Sequence, residues 1–264
     1  MSGDQQHWTK HLNEMRSRML IVFGAFVIML MVGFFFAKPI IEFMKEDILQ
    51  GNLKETLELH IFSPGEALSI YMQFAFVVAV TFTMPIALYQ AWQFVRPGLT
   101  PREQKATLSY IPFAAGLFIL GLFFGYFWVF PFLLNFMFVL TSSLGATETY
   151  GMYEFFRFLF RVVFPIALLF ELPVVILFLT RIRILNPDLL RKARRFAYLL
   201  MVVLAAFVTP PDFVSNVLVA IPLILLYEVS IWLSSRVYRR IQEEDEEWER
   251  TWQEREKSNL EDGW

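Results

Sequence analysis

Long uncharged or nearly uncharged runs set the pattern of this chain. Runs of spanning length begin near Met19, Ala67, Thr107, Phe158, Phe196 and Phe213. A hydrocarbon core about 30 Å thick is crossed by roughly 17 to 25 helical residues, so the pattern predicts an all-α polytopic membrane protein with six transmembrane helices. The fifth and sixth are short. The apolar part of the fifth, 196–208, is thirteen residues long before Thr209-Pro210-Pro211-Asp212 turns the chain, and the sixth meets Glu228 after fifteen. At 1.5 Å per residue, thirteen reach roughly 20 Å, and this hairpin is expected to stop short of the outer face or to thin the bilayer. The third run carries no charge from 106 to 147, more than one crossing needs. Its end beyond Pro131 is expected to cap the outer surface.

Pro85, Pro112, Pro165, Pro173 and Pro222 punctuate the spans, each removing a backbone donor and clashing with the preceding turn. They read either as simple kinks or as the means of bending helices around a concave face that other helices can lie against. In the outer loop 38–66, Ile40, Ile41, Met44, Ile48 and Leu49 recur at helical spacing, which suits the outer interface. The first eighteen residues are polar, and the apolar run after them lacks a small-residue cleavage pattern. This is an anchor rather than a removable signal peptide. Trp8, Leu12, Met15 and Met19 mark an apolar stripe on an amphipathic helix along the inner membrane surface. The predicted organisation is one membrane domain over 1–240 and an acidic cytoplasmic tail over 241–264, helical and then fraying.

Composition agrees with the pattern: 56% hydrophobic residues, 30 Phe and 18% charge, against about 25% charge in soluble domains. Orientation follows from the cations. Eighteen Lys and Arg fall on the side that holds both ends and two of the loops, and five fall on the other. The positive-inside rule therefore places both termini in the cytoplasm, in a multi-pass cell-membrane protein. The net charge of -2 averages two unlike faces. The absence of cysteine excludes disulfides, thiolate metal sites and thiol catalysis.

No zinc-protease, P-loop or nucleophile-elbow motif occurs, and His7, His11 and His60 are scattered. The chain reads as no enzyme, with no cofactor, no metal and no nucleic-acid partner. A few carboxylates remain. Glu171 is the sole charge within the nineteen residues 162–180, at their centre. An ionised carboxylate at the bilayer centre costs about 2.5 to 3.5 kcal/mol on insertion scales. It reads as a protonated acid hydrogen-bonded in a bundle, as part of an ion path, or as a polar socket for a partner helix. Glu14 is an i,i+4 partner of Lys10 or Arg18. Thr100-Pro101-Arg102-Glu103 has the form of a capping box, with Glu103 reaching back to Thr100. Glu228 lies near an interface, and Arg191-Lys192-Ala193-Arg194-Arg195 reads as a topology determinant with some attraction for anionic lipid.

His11-Leu12-Asn13-Glu14-Met15-Arg16-Ser17-Arg18, Pro85-Ile86-Ala87-Leu88-Tyr89-Gln90-Ala91-Trp92-Gln93-Phe94 with Pro97-Gly98-Leu99, Phe170-Glu171-Leu172-Pro173, Thr209-Pro210-Pro211-Asp212 and the stretch from Pro222 to Tyr227-Glu228 together resemble the TatC family. TatC is the multi-spanning subunit of the twin-arginine protein translocase. The resemblance runs in order from about Trp8 to Arg240. It implies a receptor and core subunit of an oligomeric complex that exports folded proteins, using the proton-motive force, with single-span partners of the TatA or TatB type. It also implies that signal peptides with two consecutive arginines are read by Glu14 and Glu103, with Phe94 lining the same region. Glu171 would be an intramembrane functional acid, and Thr209 and Asn216 the polar positions where a partner helix docks.

Three positions depart from the family's usual pattern. Met15 stands for Leu, Gln104 follows Glu103 where a basic residue is frequent, and Asn216 is shorter than the Gln of some members. A second reading from another class is a proton-coupled secondary transporter built on Glu171. Against it, no internal repeat and no paired interrupted segments are visible in the sequence.

Overall fold

The computed structural model describes residues 3–49, 59–145, 149–209 and 212–261. Nearly all of them are helical. In chain order they are α1 (Gly3–Leu49), α2 (Pro64–Val95), a 3-10 turn (Arg96–Gly98), α3 (Pro101–Leu108), α4 (Tyr110–Phe124), one π-helical turn (Gly125–Val129), α5 (Phe130–Ser143), α6 (Met152–Leu169), α7 (Leu172–Arg181), α8 (Pro187–Val208) and α9 (Phe213–Glu261). Two short parallel strands, β1 (Leu59–His60) and β2 (Tyr150–Gly151), tie the segment after α1 to the start of α6. Residues 50–58 of the outer loop and Pro210 and Pro211 of the predicted turn lie outside the described residues, as do the side chains of Trp8 and Leu12.

The prolines act in two ways. A proline ring collides with the carbonyl four residues behind it. Four residues before Pro112 and Pro173 stand Leu108 and Leu169, and these are the last residues of α3 and α6. Each proline then sits in the first turn of the next helix, where a missing N–H costs least. Pro39, Pro85, Pro165 and Pro222 lie inside unbroken helices. Pro131 follows the π turn, and the helix continues to Ser143 as part of a long apolar stretch from Glu103. The segment beyond Pro131, expected to cap the outer surface, is a continuation of the same helical stretch.

Five described stretches are long and apolar enough to cross a membrane: Asn13–Glu46, Pro64–Gly98, Glu103–Ser143, Met152–Arg181 and Phe213–Arg255. The remaining predicted span, α8, is absent from this set because Arg191, Lys192, Arg194 and Arg195 occupy its first turns. At the N-terminus the chain runs from Gly3 to Leu49 as one helix, so the amphipathic segment is continuous with the first apolar run. α9 likewise passes through position 240 without a break and remains helical to Glu261. Ile241 is buried there, and Arg181 and Arg183 bind Glu244 and Asp245 at 2.9 and 2.7 Å. The start of the acidic tail is therefore packed against the α7–α8 turn, a contact that local composition does not reveal.

Between helices in lipid, apolar area gives little net drive, because acyl chains are as apolar as leucine; close packing and interhelical hydrogen bonds decide the association. One core cluster joins α6, α7, α8 and α9 around Ile166, Met201, Val219 and Leu223. A second joins α1, α2, α5 and α6 around Ala37, Phe74, Leu134 and Phe156. Thr180 and Ser234 share a 2.8 Å hydroxyl bond between α7 and α9, and the Tyr227 hydroxyl donates to the Leu190 carbonyl at 2.9 Å. Measured interhelical hydrogen bonds average about 0.6 kcal/mol, so such links act collectively.

Where α4 crosses α6, a Cβ on Gly121 would lie 2.7 Å from the Ala167 Cα and 2.9 Å from Phe170. Gly121→Ala is expected to lower the thermal midpoint of the detergent-solubilised protein, since overpacking costs about 1 to 3 kcal/mol and outweighs a helix-propensity gain of about 1. Gly116→Ala meets nothing within 4 Å and is expected to leave the midpoint unchanged or raise it.

Candidate functional site

Three of the predicted site residues lie on successive elements: Phe94 is in the last turn of α2, Glu103 in the first turn of α3, and Glu14 on α1, which packs against α2. Glu14 lies on α1, and Arg18, one turn later, donates to it at 2.5 Å. The same guanidinium reaches across to α2, donating to Gln93 at 2.6 Å and to Gln90 at 3.3 Å. The i,i+4 pairing expected for Glu14 is present, and the glutamines make it part of an interhelical network. Arg18 is mostly shielded, with 18% of its side chain exposed against 35% for Glu14. Shielding of this order strengthens a charge-assisted bond over its fully solvated equivalent.

Beyond α2 the chain turns through Arg96–Gly98 into α3. The capping box is complete: the Glu103 amide donates to Thr100 Oγ1, while Glu103 Oε2 accepts from the Thr100 amide at 2.9 Å and its hydroxyl at 2.8 Å. The sequence leaves the other oxygen facing solvent, but in the structure Oε1 lies 3.7 Å from Arg183 Nε and only 13% of the side chain is exposed. Arg183 has φ +63° and is held on its other side by Asp245. That bond and the surrounding acids raise the pKa of its guanidinium. Gln104, singled out as a departure, straps the turn together: it accepts from Arg96 at 3.2 Å and donates to the Arg96 and Leu99 carbonyls at 3.2 and 3.0 Å. The Trp92 indole donates to Thr107 at 2.9 Å, fixing α2 against α3.

From the Arg18–Gln90 contact an apolar cavity of about 630 Å³ runs between α1 and α2. Arg18 and Phe94 stand at one end, Phe26 and Thr83 lie further along, and Leu168 of α6 forms part of the wall. Leu168 is one turn before Glu171. Glu171 itself occupies the gap between α6 and α7, 7% exposed, and among the described residues neither carboxylate oxygen has a hydrogen-bond partner. Of the three readings of Glu171, the acid hydrogen-bonded within the bundle is not what is found.

At the α8–α9 turn, Thr209 spends its hydroxyl on the Ala205 carbonyl at 3.0 Å. Asn216 Oδ1, Asp212 Oδ2 and Ser215 Oγ are buried without partners among the described residues. Asn216 is thus brought beside two further polar groups that sequence reasoning did not single out, while Thr209 is satisfied within its own helix. The described residues contain no cluster of His, Cys, Asp or Glu able to hold a metal ion.

Residues 10–222 match the family described as Sec-independent protein translocase protein (TatC). The chain belongs to the TatC family. It is 47% identical over 233 residues to the Sec-independent protein translocase protein TatC of Halalkalibacterium halodurans, covering 88% of this chain and 90% of that one. It is 42% identical over 242 residues to TatCy of Bacillus subtilis, covering 92% and 94%. The crystal structure of the twin arginine translocase receptor TatC superposes with a TM-score of 0.74 at 33% identity, covering 86% of this chain and 99% of that one. The family consists of non-enzymatic translocase components in the membrane. That assignment displaces the transporter alternative centred on Glu171.

Proposed function

We propose that this chain is the receptor and core subunit of a twin-arginine translocase in the cell membrane. In this reading α8 and α9 are the short fifth and sixth of six spans, both termini are cytoplasmic, and residues 1–240 form the membrane domain. The arginine-rich α7–α8 turn and α9 end support that orientation, since they share an end of the molecule with Glu103. The carrying observation is that Arg18, held by Glu14, and Phe94 stand at one end of an apolar cavity, while Glu103 opens the helix that follows the turn out of α2. A twin-arginine signal peptide would place its guanidinium groups on Glu14 and Glu103 and its apolar segment in the cavity.

A guanidinium presents a planar fork that a carboxylate grips bidentately, and an ammonium does not. Charge-assisted hydrogen bonds contribute about 1.5 to 3 kcal/mol each, so two give about 3 to 6, against about 8 for micromolar binding. Both acids already hold arginines of this chain, Arg18 and Arg183. An incoming arginine therefore exchanges one guanidinium for another, and the net gain is smaller than the gross figure. The apolar segment must supply most of the affinity, and the two acids the preference for arginine. Partner helices of the TatA type would dock along α8 and α9, where Asn216 keeps an unpartnered carbonyl, with Thr209 beside it in the turn. Transport is taken to draw on the proton-motive force.

The test is binding of a fluorescent Arg-Arg signal peptide and its Lys-Lys counterpart to the purified protein at moderate salt. The Arg-Arg peptide is expected to bind more tightly, and Glu14→Ala and Glu103→Ala each to weaken it while the protein still inserts. Wild-type affinity in both variants would sink the assignment. Arg183→Gln removes the internal competitor for Glu103 and is expected to tighten binding about two- to fivefold, the range of an exposed ion pair. Glu171→Gln keeps size and hydrogen-bonding capacity, and is expected to preserve transport in a complemented export assay. Collapse of export would mean that the titrating acid itself is required.

A further inference from the structure

The end of the molecule that carries Glu103 has a second cationic site, remote in the fold from α1 and α2. Arg191 and Arg194 on α8 and Arg236 and Arg239 on α9 line a cavity of about 450 Å³ together with Trp232 and Glu228. Four guanidinium groups face Glu228, and one of them, Arg191, also pairs with Asp188 at 3.3 Å. Their arrangement is built rather than incidental: Arg236 stacks 3.6 Å over the Trp232 ring, and Arg191 donates to Ser235 of α9 at 3.3 Å. Arg194 is bound to Glu228 at 2.7 Å, which neutralises one positive charge. Arg236 makes only the ring contact, and Arg239 has no hydrogen-bond or ion-pair partner among the described residues. With Arg191 and Arg194 each paired to a carboxylate, the cavity keeps the two positive charges of Arg236 and Arg239.

The α9 sequence extends this cavity into the bilayer. Leu225, Val229, Trp232, Arg236 and Arg239 fall at alternating spacings of four and three residues, one face of a helix. The first three are exposed, at 59%, 48% and 52%. Along one stripe the chain thus passes from bare aliphatic side chains to a tryptophan and then to two arginines. Tryptophan marks the membrane–water boundary, and paired cations just outside it suit lipid phosphate.

We infer that this α8–α9 cavity binds the phosphate headgroup of an anionic phospholipid, with an acyl chain lying along Leu225 and Val229. Arginine suits phosphate because its fork makes two parallel hydrogen bonds. A zwitterionic lipid brings the same phosphate but adds an ammonium, which the positive cavity repels. The inference is independent of peptide recognition by Glu14 and Glu103.

The test is native mass spectrometry of the full chain in neutral detergent, titrated with phosphatidylglycerol, with phosphatidylcholine and, separately, with inorganic phosphate. Phosphatidylglycerol is expected to bind at least about tenfold more tightly than phosphatidylcholine, and Arg236→Gln/Arg239→Gln to lose that preference. The control Lys192→Gln/Arg195→Gln removes the same charge from outside the cavity and is expected to retain it. Equal binding of the two lipids, an unchanged preference in the Arg236/Arg239 variant, or an equal loss in the control would each overturn the assignment. Full displacement of the lipid by millimolar inorganic phosphate would overturn it in favour of a free-anion site. Retained helical circular dichroism in both variants separates loss of binding from loss of fold.

Discussion

Within a bilayer no water is available to satisfy a broken backbone, so every interruption of a helix must be repaired by the protein itself. The break between α6 and α7 is where this constraint bears hardest. Pro173 forbids the helix to pass through Leu169 unchanged, and the chain responds by tightening. The Phe170 amide still reaches Ile166 at 3.0 Å, the Glu171 amide reaches Leu168 at 3.1 Å, and the Glu171 carbonyl accepts from Val175. Backbone continuity is restored over two residues. The Glu171 side chain is left buried at the joint.

That joint lies between the two halves of the core. The α7–α9 side is fastened by hydroxyl pairs such as Thr180 with Ser234, and the α1–α2 side by aromatic edges such as Phe74 against Phe156 and Phe160 at 5.0 and 4.8 Å. On the α1–α2 side runs the apolar cavity, ending at a network of Glu14, Arg18 and Gln93. The α2–α3 corner, which carries Glu103, is fixed through Trp92, Thr107 and Gln104. The candidate site is therefore built from the same contacts that hold α2 against α1 and α3.

The tail of α9 takes part in the same economy of charge. Asp245 shares Arg183 with Glu103, and Glu244 holds the buried Arg181. The acidic run that reads as a solvated extension is partly an internal counterion for the α7–α8 turn. This matters for Glu103, whose immediate electrostatic surroundings are set by residues eighty to one hundred and forty positions away.

Local features were legible from the sequence because their partners are three or four residues apart: the Thr100–Glu103 capping box, the Glu14–Arg18 pair, the long apolar runs, and proline as a helix breaker. Those depend on helical geometry alone, which every α-helix shares. Which prolines break a helix was less legible, since Pro85 and Pro165 are accommodated while Pro112 and Pro173 start new helices. The tail reads as a helical extension and is one, whereas the fusion of the N-terminal segment into α1 escaped the pattern, because a change from polar to apolar residues does not end a helix. The grip of Arg18 on Gln93, the approach of Arg183 to Glu103 and the convergence of four arginines between α8 and α9 belong to tertiary structure. They are fixed by how the helices cross, and a one-dimensional pattern carries no information about the crossing.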